Sequence, residues 1–439
     1  MRFLQMVVLA VAVAGASSAQ QPAQPAPQPS AQDVAALLQK ITDLEDRVVS
    51  LEGQVRQLKA QGAAPAAAPA PQAAATPEPG AAPATTAQVE QPRLGGAGAA
   101  AAKALNPDIS MIGDFIASAG HNPVNPTPSF QMHESELGVQ AIVDPYARAD
   151  FFISFGEVGV NLEEGFLTFT ALPKGFVVKA GKMRAAFGKV NTLHNHVLPW
   201  VDRPLVTQNL VGGEDGINDA GVSVQHIIPA PKNWFMEFTG QTYRGDSADV
   251  FRAQVKNDVS VVGHLRVYKD LTDNSNIDFG GSYARGHSIF GSPFITNLYG
   301  VDAAYRWKPL QRSIYRSFVA RSEFIWRQQN QPSLAACVTI VCPPNFAPGF
   351  QRAFGFYASG DYQFARRWFL GGRVDSSDRP FNAALNDKGG SLVLTYWPSE
   401  FSQIRAQYQA TQYAGNNKVA NELFIQIQFA LGAHGAHPF

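Results

Sequence analysis

Cysteine is almost missing from this chain, with two in 439 residues, so neither a disulfide-dense scaffold nor a four-cysteine zinc site is available. Charge is scarce too. Asp, Glu, Lys and Arg make up 16% of the residues, against about 25% in ordinary soluble domains. The charges that exist cancel, 35 basic against 35 acidic, which excludes a nucleic-acid binder held by a basic excess. Beyond residue 19 no apolar run reaches the roughly 20 residues a membrane-spanning helix needs. The G-x-S-x-G elbow, H-E-x-x-H, the P-loop and the dinucleotide glycine pattern are all absent. We therefore read no enzyme, no cofactor and no metal. What the chain has in quantity is glycine (38) and phenylalanine (29).

The first residues have the form of an export signal. Met1-Arg2 is a basic start, Met6–Ala16 is an apolar core, and Ser17-Ser18-Ala19 supplies the small residues before cleavage. Residues 1–19 are predicted to be a secretory signal peptide; a buried N-terminal helix is the alternative. No cysteine follows the cleavage region, which argues against a lipidated N-terminus.

Three textures follow. Residues 20–32 are Gln/Pro/Ala-rich and predicted disordered. Residues 33–60 carry an unbroken heptad, with Val34, Ile41, Val48 and Val55 at a, and Leu37, Leu44, Leu51 and Leu58 at d. That stripe predicts an α-helical coiled coil about 42 Å long. β-Branched a residues with Leu at d favour a parallel dimer, and a trimer stays open. Lys40 can face Glu45 of a partner chain, and Arg47 can face Glu52. The alternative is an amphipathic helix lying on its own domain. Residues 61–105 are mostly Ala, Pro, Gly, Gln and Thr, a composition that cannot build a core and predicts an extended spacer.

Residues 106–439 alternate. Sixteen short runs start near Ile109, Phe130, Tyr146, Val160, Phe176, Ile217, Trp234, Val259, Asn276, Leu298, Tyr315, Arg352, Arg366, Gly390, Phe401 and Asn421. In the run from Phe401, Ile404, Ala406, Tyr408 and Ala410 share one face, while Gln403, Arg405, Gln407, Gln409 and Thr411 share the other. The runs from Tyr315 and Leu298 behave alike, with Phe324, Trp326, Tyr299 and Val301 opposing Arg321, Glu323, Arg327, Asp302 and Arg306. Trp234, Trp307, Trp326, Trp368 and Trp397 fall near run ends, where interfacial girdles belong. The pattern predicts an all-β transmembrane barrel of about 16 antiparallel strands over residues 106–439. A soluble sandwich or propeller with a dry core is the competing reading. The even run count, the small residues among the aromatics of the apolar face, and the terminal Phe439 favour the barrel.

The stretch Gly175–Asn191 (GFVVKAGKMRAAFGKVN) resembles the GQFK-x-PFG segment of the phosphate-selective porin O/P family. Asn106–Gly113 (NPDISMIG) and Gly213–Gly221 (GEDGINDAG) look like a related group of bacterial outer-membrane proteins. The resemblance covers about a third of the barrel. It implies a sixteen-stranded, trimeric outer-membrane channel. The chain departs from the family at Ala186, where the pattern has Pro, and in the added coiled coil. The family's anion-binding residues cannot be matched here.

Alternation also assigns the lumen. Arg148, Lys182, Arg184, Arg266, Asp302, Arg306, Arg321, Glu323, Arg327, Arg367, Arg373, Asp375 and Arg405 are predicted to line the pore. Acids concentrate in the N-terminal half (Glu134, Glu136, Asp150, Asp219, Glu237) and arginines in the C-terminal half, which would set up a transverse field and a mild anion preference. The long interruption 189–216, with His194, His196, Asp202, Arg203, Glu214 and Asp215, is predicted to enter the lumen as a constriction loop. His194-Asn195-His196 with Asp202 lacks a third fixed ligand for a metal. Cys337 and Cys342 are predicted to form a disulfide on an outward loop.

The function expected is an outer-membrane porin passing small polar solutes by diffusion, with a periplasmic coiled-coil stalk for oligomerisation or cell-wall contact. Its partners would be outer-membrane lipid and further copies of itself, as a trimer or dimer. The alternatives are a substrate-specific or energy-coupled uptake receptor, a structural envelope-tethering barrel, and a hydrolase on the barrel wall using residues such as His264.

Overall fold

The computed structural model describes residues 107–432 apart from Val158, Ala248, 339–341, Pro344 and Asn417. The expected signal peptide, coiled coil and spacer, and Phe439, lie outside the described residues.

Sixteen strands close on themselves, each antiparallel to its chain neighbours, with β1 pairing β16. In order they are β1 Asp108–His121, β2 Phe130–Asp144, β3 Ala147–Gly156, β4 Gly159–Phe169, β5 Phe176–Arg184, β6 Asn218–Ile228, β7 Phe235–Tyr243 and β8 Ser260–Thr272. The second half comprises β9 Ser275–Ser288, β10 Gly291–Trp307, β11 Ser317–Gln331, β12 Gly349–Ala365, β13 Trp368–Arg379, β14 Asn382–Ser399, β15 Ser402–Gln412 and β16 Ala420–Gly432. Every run expected from alternation is one of these strands. The largest differences are β10 and β14, which begin well before Leu298 and Gly390. Their first residues (GSPFITN and NAALNDKG) do not alternate strictly, since backbone pairing can continue where the outer face no longer needs to be apolar.

Closure makes the period-two pattern physical. Along β15, Gln403, Arg405, Gln407, Gln409 and Thr411 are buried toward the interior, while Ile404 and Tyr408 are exposed outside. Val301, Leu392, Val374, Phe238, Phe279 and Ile425 stand on the same outer surface. A belt of apolar side chains this extensive is costly in water and at home against lipid, and ring closure leaves no open sheet edge facing the hydrocarbon. Val301, 50% exposed in β10, tests this. Val301→Arg is expected to cost about 2–4 kcal/mol of folding stability in vesicles, if it lies near the midplane. The urea midpoint of folding into vesicles reads the change.

The two rims differ. One carries the beginning of β1, the end of β16 and connections of nine residues or fewer, among them the two-residue turns 145–146, 273–274, 366–367 and 400–401. Trp234, Trp307 and Trp368 stand at strand ends on this short-turn rim, as a girdle requires. Trp397 is at the same rim but shares the inward phase of Val393 and Thr395 and lines the interior cavity, and Trp326 sits deeper in β11. The other rim carries the long connections 185–217, 244–259 and 332–348. Cys337 and Cys342 are bridged within 332–348, with Cα atoms 5.5 Å apart.

Candidate functional site

The segment between β5 and β6 occupies the lumen. It starts four residues earlier than the sequence reading placed it, because β5 is short and pairs with β4 only from Gly165 to Phe169. The entry turn is Phe187-Gly188. Gly188 has φ +61°, and a Cβ there would fall 2.4 Å from Glu323 Oε2, so both conformation and space call for glycine. Phe187 then packs beside Gly300.

From that turn the segment is bonded to three arcs of wall. On β2 and β4, His194 Nδ1 lies 2.5 Å from Glu136 Oε2, and His194 Nε2 lies 2.7 Å from Glu164 Oε2. Asn195 donates to Glu134 at 2.9 Å, and Arg184 donates to Glu163 at 2.9 Å. On β9 to β11, Lys189 Nζ sits 3.2 Å from both Asp278 and Asp302. The backbone N–H groups of Lys189 and Val190 donate to Glu323 at 2.9 and 2.8 Å. On β13 to β16, Arg373 donates to the Asp202 carboxylate at 2.7 Å and to its carbonyl at 2.9 Å. Arg405 donates to the Trp200 carbonyl at 3.1 Å, and the Val201 and Leu205 N–H groups donate to Gln407 and Asp375. The segment thus answers the wall's charge pattern. Its cationic and amide groups meet the acids, and its carboxylate and carbonyls meet the arginines.

Internally, Arg203 ties the segment together. Its guanidinium, 1% exposed, donates to Asn195 Oδ1 and to the carbonyls of Val190 and Leu193. Burial draws its pKa down to about 10, which leaves it charged at neutral pH. Burial works against a proton on His194 as well. The hydrogen bonds to Glu136 and Glu164 outweigh that and lift it to about 10.

The interior is not uniformly wet. Val190, Leu198, Trp200, Val206 and Leu210 of the segment form one apolar core with inward-facing Val262, Ala284, Leu298, Ile325, Ala353 and Val393, and with Val250 and Phe251 of the 244–259 connection. Inward positions are therefore not all polar, as those of the run from Phe401 are. Alternation dictates which way a side chain points, not what meets it there, and here a second layer of chain meets it.

Between this core and the short-turn rim lies a cavity of about 1080 Å³. Lys179, Arg266, Arg306, Lys308, Arg321, Arg366, Arg367 and Arg405 line it, against Glu164, Glu237, Asp278, Asp361 and Glu400. Several acids are already engaged: Asp278 by Arg266 at 2.8 Å, Asp361 by Arg321 at 2.5 Å and Glu164 by His194. Each such pair cancels one charge of either sign, and the cationic side chains of the lining outnumber the acids, so the cavity is basic.

The expected pore residues separate into groups on this geometry. Arg266, Arg306, Arg321 and Arg367 line the cavity. Arg148 stands at the short-turn rim, bonded to Asp150. Glu323, Asp302, Arg327, Arg373, Asp375 and Arg405 face inward but are buried, holding the inserted chain more than they meet solute; Arg184 does the same through Glu163 and the carbonyls of Glu214 and Asp215. Lys182 is a correction. It pairs with Gly165 and Ala220, and its Nζ reaches the exposed Leu162 carbonyl at 2.5 Å. With Lys179 and Met183 lining the cavity, strand alternation turns Lys182 outward. Arg184 escapes that phase because β5 ends there. Of the constriction-loop residues, His194, His196, Asp202 and Arg203 are brought inside, whereas the Glu214 and Asp215 side chains stay exposed. Asp202 joins Arg373 and Gln407, not the histidines.

Sequence reading passed over Glu163 and Glu164. Phe152 pairs with Glu164 and Ile153 with Leu162, so Glu163 is an extra residue in a bulge, and both neighbouring acids reach the interior. Two adjacent acids inside an alternating run were the available signal.

No family model matches this chain. An uncharacterized protein of Aquifex aeolicus (strain VF5) is 28% identical over 396 residues, spanning 77% of this chain and 81% of the relative. Among solved structures, the anion-selective porin from Comamonas acidovorans superposes with a TM-score of 0.50 at 10% identity, covering 74% of this chain and 99% of that one. OmpF of Salmonella typhi, in complex with daunomycin, does so with a TM-score of 0.50 at 7% identity, covering 75% and 99%. The fold is that of a bacterial porin. At these identities the likeness speaks of the porin barrel itself, and the inserted 185–217 segment has to be understood from its own residues.

Proposed function

We propose that this porin-fold chain is an outer-membrane channel through which small polar solutes diffuse passively, with no enzymatic role. The observation that carries the reading is the charged cavity of about 1080 Å³ inside a closed sixteen-stranded barrel. Short turns face the periplasm in bacterial barrels and long loops face outward, so the cavity is a periplasmic vestibule and the inserted segment narrows the path beyond it. The unequal lining, with Arg306, Arg366 and Arg367 beyond the paired arginines, supports a mild anion preference. Residues 33–60 would join copies of the barrel or reach the cell wall from the periplasm.

A second reading, a solute-selective or energy-coupled receptor closed at rest, is favoured by the apolar core and the ring of bonds around residues 185–217. Planar bilayers separate the two: ohmic steps support the diffusion channel, and silence supports the receptor. If anions are preferred, Arg306→Ala combined with Arg321→Ala is expected to move the reversal potential in a salt gradient toward the cation side. An unchanged potential would remove the vestibule from selectivity.

A further inference from the structure

The inner end of β2, the β4 bulge and the start of the inserted segment bring two imidazoles and several carboxylates into one buried pocket. Glu136, His194 and His196 each offer a ligand atom within 4.8 Å of the others. The spacing within the group is uneven in an informative way. His194 Nδ1 and Glu163 Oε2 are 3.4 Å apart, and His196 Nδ1 and Glu136 Oε2 are 3.7 Å apart. Tetrahedral ligands at about 2.0–2.1 Å from a common ion stand about 3.3–3.4 Å apart, a separation the His194–Glu163 pair meets. His194 Nδ1 and Glu136 Oε2, 2.5 Å apart, share a proton that an ion would displace as the pair opens. At 3.7 Å the His196–Glu136 pair is too long for a hydrogen bond.

Independent of the cluster, His196 points to a ligand. Its side chain is 9% exposed, and its Nδ1 has no hydrogen-bond partner although it is turned toward Glu136. A buried imidazole nitrogen left unsatisfied costs free energy and calls for an explanation. Glu134, in the same pocket, is also buried, and its carboxyl lies against that of Glu163.

The surrounding bonds are those that orient metal ligands. With His194 coordinating through Nδ1, its Nε2–H donates to Glu164 at 2.7 Å, the carboxylate–histidine arrangement that fixes tautomer and ring. Arg184 holds Glu163 at 2.9 Å, and Asn195 holds Glu134. Four carboxylates, Glu134, Glu136, Glu163 and Glu164, gather here around Arg184, Arg203 and two histidines.

We propose that Glu136, Glu163, His194 and His196 form a binding site for a divalent first-row transition metal, Zn²⁺ by the nitrogen–oxygen donor set. The ion clasps the inserted segment to the β2–β4 wall. This site stands whether or not the barrel conducts, and its test is binding.

The full chain, folded in detergent and dialysed against micromolar Zn²⁺, is expected to retain one equivalent. Substituting Co²⁺ should give the intense visible spectrum of four-coordinate cobalt. His196→Ala and Glu136→Gln, each checked for folding by heat-dependent electrophoretic migration, should weaken binding by about tenfold or more. His196 has no bond at Nδ1 to lose, so a purely structural role would leave its variant's metal content unmoved. The chain also carries His434 and His437; His434→Ala with His437→Ala should keep the equivalent. No retained metal, binding unchanged in both pocket variants, or binding that disappears only with His434 and His437 would each overturn the proposal.

Discussion

Replacing residues 190–212 with a short Gly-Ser linker is expected to raise single-channel conductance several-fold and to abolish most discrimination among solutes. Those residues contribute Trp200, Val206 and Leu210 to the apolar core, each with 0% exposure. Conductance through a pore is set at its narrowest section, and no strand needs to move for that section to widen. The barrel ladder does not use the segment, since β5 and β6 pair directly from Phe176 with His226 to Arg184 with Asn218. The variant should therefore still migrate differently when unboiled. A folded variant with unchanged conductance would show that solutes pass elsewhere, and the segment would no longer be the constriction.

Arg373→Met should have the second large effect, and on stability. Arg373 bridges Asp202 and Asp375 at 2.7 Å each and lies 4.8 Å over the Trp200 ring. Removing it strands two acids against the inserted chain, a loss of about 3–5 kcal/mol for a buried pair broken on one side. The same substitution with Asp202→Asn and Asp375→Asn is expected to recover much of it, because the neutral amides carry no unpaired charge. Urea unfolding of the single and triple variants measures the difference. Equal stability of the two would mean that solvent already screens these acids.

The anchors differ in what they can do. Glu323 holds the start of the inserted chain through the Lys189 and Val190 N–H groups, and Arg373 holds its middle through Asp202. The β2–β4 arc is different, because His196 there is turned toward an acid it does not reach.

Much of this architecture was legible in the amino-acid order. Whether a residue faces lipid or lumen is a local property of an extended chain, repeated every second position, and lipid tolerates no error on its side. Gln403, Arg405 and Gln407 opposite Ile404 and Tyr408 therefore declared both strand and face. Strand number followed, and with it the barrel. Lys182 was misread, because its phase depends on where β5 leaves the sheet, and β4 sets that limit. The bulge at Glu163 likewise exists only in the pairing with β3.

By itself, then, the sequence determined the cylinder and the direction of its side chains, because both follow from period-two contrast against the bilayer. Only tertiary structure decided which inward charges are wet, which are sealed, and that His194 meets Glu136 instead of Asp202. Those contacts join residues 58 positions apart, as in His194 with Glu136, or 206 apart, as in Val201 with Gln407. Nothing local encodes such distances; they arise when the closed ring brings its walls to bear on the chain folded inside it.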